Sequence, residues 1–110
     1  MLFEDICRRL EKDFLPPVER EDIAAISLHL LDISRIYKKE KLSAAIKKQL
    51  DLTVRVIEEL FNKKKTCGEN IRRLIALNSE FRAETLNEEK INIQIKSLIG
   101  RINEAYFRNL

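Results

Sequence analysis

A chain of 110 residues, 45% hydrophobic and 35% charged, with two glycines and two prolines, has the composition of one helix-rich globular domain over residues 1–110. The net charge of +3 comes from 21 basic and 18 acidic residues interleaved along the chain, a balance that does not by itself make the basic face that nucleic-acid binding uses. No apolar run approaches the roughly 20 residues that cross a bilayer.

Phe3, Ile6, Cys7, Leu10 and Phe14 recur at helical spacing and predict a short first helix. Pro16 and Pro17 then end it, because proline lacks an N–H and pushes its predecessor out of the α region. Glu19, Glu21 and Asp22 put negative charge on the first turn of a second helix, where the dipole favours it. That helix runs from about Glu19 to Tyr37 with the stripe Ile23, Ile26, Leu30, Ile33 and Tyr37. Leu28 and Leu31 lie to the side, which predicts burial on more than one face.

Lys38-Lys39-Glu40-Lys41 reads as a solvated end or loop, and Ser43 as the cap of the next helix. Leu42, Ile46, Leu50, Val54, Ile57 and Phe61 mark this third helix, which ends in Asn62-Lys63-Lys64-Lys65. Thr66 and Glu69 fit a capping box for a fourth, with Ile71, Leu74, Ile75, Asn78 and Phe81 on one face. Thr85-Leu86-Asn87-Glu88-Glu89 is a second candidate cap, followed by Ile91, Ile95, Leu98, Ile99, Ile102 and Tyr106. The segment 68–107 is either one long helix or two, and a break or bend near Asn87 is favoured. The fold class is all-α, an antiparallel bundle of four to five helices.

Few residues suggest chemistry. His29, the single histidine, sits beside an apolar stripe with nothing near it in sequence to complete a triad. Phosphate-binding, hydrolase and kinase signatures are missing. Cys7 and Cys67 form no C-x-x-C, so they read as reduced thiols. Glu21, Asp22, Asp32, Glu58 and Glu59 mostly fall off the apolar stripes and read as solvated. No catalytic residue, metal ligand or cofactor is assigned, and an enzyme is not expected. Lys38, Lys39, Lys41, Lys47 and Lys48, and then Lys63, Lys64, Lys65, Arg72 and Arg73, gather at helix corners. The latter five are a candidate surface for an anion or an acidic partner.

Around the proline corner the chain resembles the PhoU-like phosphate-transport regulators, in particular those found beside Pit-type permeases. The match is Phe14, Pro17, Val18, Glu19, Arg20, Glu21, Asp22 and Ile23, continued in register by Ile26, Leu30 and Asp32. The resemblance implies an all-α PhoU-like bundle, a cytoplasmic location and a link to inorganic phosphate uptake. It also implies paired acidic motifs that hold iron or zinc, but these positions fall on Leu31 and Arg35 in the second helix and on Ile75 and Ser79 in the fourth. Asp32 alone keeps a carboxylate, and an apolar residue or an arginine cannot replace a hard oxygen ligand.

The expectation is therefore a shortened, metal-less relative that acts by protein–protein contact. Its expected partners are a second copy, as a homodimer, and a phosphate permease or its regulator. Met1-Leu2-Phe3-Glu4-Asp5 lacks the basic and apolar regions of a signal peptide, which agrees with the cytoplasmic expectation. The alternative is a module that uses its lysine corners on nucleic acid or an anionic membrane surface. Under the leading reading no nucleic acid is expected, and membrane contact is peripheral at most.

Overall fold

The computed structural model describes residues 20–61 and 67–107. The first expected helix, the corner through Glu19, Thr66 with its capping box, and Lys63, Lys64 and Lys65 lie outside the described residues. What is described is all-helical: α1 (Arg20–Lys39), α2 (Ala44–Phe61), α3 (Cys67–Glu80) and α4 (Leu86–Phe107).

The starts of α1, α2 and α4 have local causes. Glu21 and Asp22 occupy the first turn of α1, and the helix runs on through Lys38 and Lys39, which sit where the dipole is negative. Ser43 caps α2, its carbonyl accepting from Lys47 N–H at 3.1 Å. Thr85 caps α4 with two bonds: its Oγ1 accepts from Glu88 N–H at 3.1 Å, and its carbonyl accepts from Glu89 N–H at 3.2 Å. The break between the last two helices therefore falls at 81–85, earlier than the Asn87 expected. A threonine cap forces its own residue out of helical geometry, so the chain must open before Leu86.

α4 is the centre of the molecule and packs against each of the other three helices. α2 and α3 also pack on each other, whereas α1 makes no close backbone approach to either among the described residues. The directions follow from the contacts. Ser43 meets Glu88, so α2 and α4 start at the same end and run in parallel. Gly68 meets Tyr106, so α3 runs against α4. His29 meets Gln94 while Asp32 and Ile36 share a groove with Lys90 and Ile93, so α1 is also antiparallel to α4. The connections are short, as expected.

The core is dominated by isoleucine and leucine, with Ile26, Leu30, Ile33, Ile46, Ile57, Ile71, Ile91 and Ile95 almost wholly buried. The expected stripes supply most of it. Tyr37 is a correction: it lies 40% exposed in the last turns of α1. Leu28 and Leu31 are others, at 64% and 43% exposed, because α1 leans on one neighbour among the described helices. Ile75, expected on the inner face of α3, is 43% exposed.

Candidate functional site

The acidic residues are the first departure from expectation. Asp22 and Glu59, expected to be solvated, are buried, and so is Glu88. Glu88 is the third residue of α4, and its two oxygens serve two helices. Oε1 accepts the backbone N–H of Ser43 at 2.7 Å, and Oε2 accepts the backbone N–H of Glu84 at 2.8 Å. One carboxylate thus satisfies an orphan donor at the cap of α2 and another just before the cap of α4. Burial pushes the Glu88 carboxyl up, but hydrogen bonds from Ser43, Glu84 and Thr85 outweigh it and hold the group below its ordinary value. The carboxylate is fixed as an ion in a structural joint.

A second joint closes the opposite end. Asn70 donates through Nδ2 to Glu59 Oε1 at 2.5 Å, tying α3 to α2. Arg73 donates to Asn70 Oδ1 at 3.3 Å. Cys67, fully buried at the start of α3, lies 3.6 Å from the Val56 carbonyl. Burial, with the Glu59 charge beside it, raises the Cys67 thiol to about 12. A thiol so far from ionising is no nucleophile at neutral pH. Gly68 is the close approach at this end: a Cβ there would come within 2.9 Å of the Tyr106 ring. Tyr106 stacks edge-on with Phe107 at 4.8 Å, and the Arg72 guanidinium lies 5.9 Å above the Phe107 ring.

The outer face of α4 is different in character. Its exposed side chains include Leu86 at 72% and Ile93 at 52%, and it is flanked by two surface grooves of about 310 Å³ each. The α1 groove is lined by Asp32, Arg35, Ile36, Lys90, Ile93 and Gln94. The α3 groove is lined by Ile75, Asn78, Ser79, Lys96, Ile99, Gly100 and Asn103. Half-buried His29 is engaged near the first groove, its Nδ1 hydrogen-bonded to Gln94 Oε1 at 2.6 Å. Under the second lies Asn78, which is buried with neither atom of its side-chain amide bonded.

The residues singled out in the sequence scatter over this frame. Arg20, Glu21 and Asp22 begin α1, while Pro17, Val18 and Glu19 lie outside the described residues. Asp32 pairs with Arg35 at 3.7 Å in an exposed contact, which stabilises little. Leu31 and Arg35 lie on α1, and Ile75 and Ser79 beside α4 on its other flank, so the two degenerate acidic motifs do not converge. Among the described residues, no three His, Cys, Asp or Glu side chains gather where they could hold a metal ion. Arg72 and Arg73 are engaged within the chain, and Lys39, Lys41, Lys47 and Lys48 are exposed.

Glu88 and Ile93 had no mark in the sequence beyond the Thr85-x-x-Glu88 spacing. That spacing identifies the cap but not the bond to Ser43, 45 residues away. No helix among the described residues is long and apolar enough to cross a membrane. No protein-family model matches the sequence, and no curated protein or solved structure is detectably similar to it.

Proposed function

We propose that this chain is a non-enzymatic regulatory or adaptor protein that acts by protein–protein contact in the control of inorganic phosphate transport. One observation carries contact over chemistry: the outer face of α4. Glu59 and Glu88 are committed to joining helices, while Leu86 and Ile93 stand in solvent between two grooves. This reading takes these exposed side chains, with the grooves that flank them, as the surface that another macromolecule covers.

The phosphate link has a narrower basis, the PhoU-like corner from Phe14 to Asp32. Its helical part begins α1, with Glu21 and Asp22 on the first turn. A phosphate permease or its regulator is the partner this reading assigns, met by the assembled protein rather than by the outer face of α4 itself. Uptake of radiolabelled inorganic phosphate by the native cell, with and without the gene, tests it. Altered uptake on deletion is expected, most clearly under phosphate limitation. Equal uptake in both strains at every phosphate level refutes the link.

A further inference from the structure

We propose that the chain pairs with a second copy of itself through the outer face of α4, the two helices antiparallel about a two-fold axis passing between Lys96 and Ser97. This goes beyond the phosphate reading and stands without it.

Spacing along α4 is the first indication. Leu86, Ile93, Gly100 and Phe107 recur every seventh residue, so they lie along one face with only about 20° of drift per step. The buried residues of α4, among them Glu88, Ile91, Ile95, Leu98 and Ile102, lie on the opposite side. The outer face carries a knob and a hole. The knob is Ile93, half exposed. The hole is Gly100, where a Cβ would find no atom within 4 Å. A glycine in a helix interior costs up to about 1 kcal/mol relative to alanine. Nothing among the described residues requires Gly100, whereas a close partner would.

Knob and hole fit each other only in one arrangement. With the axis between Lys96 and Ser97, Ile93 of one copy lies level with the partner's Gly100, and the reverse contact forms by symmetry. Both residues are about 5 Å along the helix from the axis, so at a shallow crossing angle of about 20° they part sideways by only about 2 Å. Each Ile93 then enters over glycine beside Ile75 and Ile99, which line the α3 groove. Farther out, Leu86 comes level with the partner's Phe107 when the helices cross at a shallow angle.

Charge selects the same orientation. In the antiparallel pair, Lys90 comes within one residue of level with the partner's Glu104. A parallel pair brings Lys90 level only with the partner's Lys90 and Glu104 with the partner's Glu104, on opposite edges of the seam, so it forms no such contact, and it leaves both glycine holes empty. The Lys–Glu contacts add little affinity, but they decide the register. A partner of different sequence has no reason to carry both halves of this fit, whereas a second copy does.

The test uses the full chain. Sedimentation equilibrium of the wild type at about 100 μM is expected to give twice the 13.0 kDa chain mass. Gly100→Leu fills the hole but has open space within its own copy, so its far-UV circular dichroism should match wild type while dimer affinity falls by about tenfold or more. Orientation is read by mixing separately made I93C and G100C proteins, both in a C7S background, with a short bis-maleimide linker. The mixed 93–100 product should exceed the 93–93 product. A wild-type monomer at this concentration, an undiminished dimer in Gly100→Leu, or a predominant 93–93 product would each overturn the proposal.

Discussion

Replacing Glu88 by glutamine tests the joint on which the relative placement of α2 and α4 depends. The carboxylate accepts two backbone N–H groups, from Ser43 at 2.7 Å and Glu84 at 2.8 Å, while only 1% exposed. An amide side chain has one acceptor oxygen, so one of these N–H groups would face an NH₂ instead. A hydrogen bond to a charged group contributes about 1.5–3 kcal/mol net, and a neutral one about 0.5–1.5. Losing one and weakening the other, with the negative charge removed from the first turn of α4, gives a destabilisation of about 2–4 kcal/mol. In a domain of this size that lowers the melting temperature by about 10–20 °C.

Urea denaturation followed by circular dichroism at fixed protein concentration measures the difference. Glu89→Gln, at an exposed site in the same turn, is the control and should cost less than about 0.5 kcal/mol. A midpoint for Glu88→Gln no lower than that of Glu89→Gln would show that the carboxylate does not hold this joint. The pH dependence has a definite sign. The Glu88 carboxyl ionises below its ordinary 4.5 in the folded chain, so its contribution is complete above that value. It is lost as pH falls through the lower, folded value, and the gap between wild type and Glu88→Gln should close there. A gap that stays constant or widens on acidification contradicts the assignment.

Three other outcomes are expected. Cys67, with its thiol raised to about 12, should react with a thiol reagent at pH 8 only as fast as the chain opens. In a C7S background its labelling rate should therefore rise steeply with urea, and rapid labelling of the folded protein would count against the buried placement. Asn78→Leu replaces an unpaired buried amide with an apolar group of similar size, and should stabilise by about 1–2 kcal/mol in urea; a loss of stability would show that the amide is satisfied. Gly68→Ala should bring no helix-propensity gain, because the added methyl meets the Tyr106 ring; a higher urea midpoint, together with unchanged tyrosine fluorescence, would contradict that contact.

The helices were legible because each stripe repeats at helical spacing, and the cap at Thr85 because its hydroxyl is of the type that caps; Ser43 holds the start of α2 through its backbone, its carbonyl accepting from Lys47 and its N–H donating to Glu88. The end of α3 was harder. Neither glycine nor proline interrupts 81–85, and the break follows only from giving Thr85 a cap's geometry. The buried acids were not legible. Glu59 and Glu88 look like the surface acids around them until Asn70 and Ser43 are brought across from other helices. On α1 apolar residues occupy more than one face, and a pattern of that kind cannot tell that Leu28 and Leu31 face outward. That depends on α1 having a single close neighbour among the described helices. The candidate surface was missed for a different reason: Ile93 lies about half a turn round α4 from the stripe of Ile91, Ile95, Leu98 and Ile102, and a single apolar residue facing outward marks no surface until the packing sets it between two grooves.

A complementation experiment returns the outer face of α4 to the native cell. A strain lacking the gene is given back either the wild-type chain or Ile93→Glu, which places a charge at an already exposed position and should leave the circular dichroism and urea midpoint of the monomer unchanged. Phosphate uptake is then measured under limitation. The wild-type chain is expected to restore uptake, and Ile93→Glu, present at equal abundance, to behave like the deletion. Full restoration by Ile93→Glu would contradict the claim that this protein works through that surface.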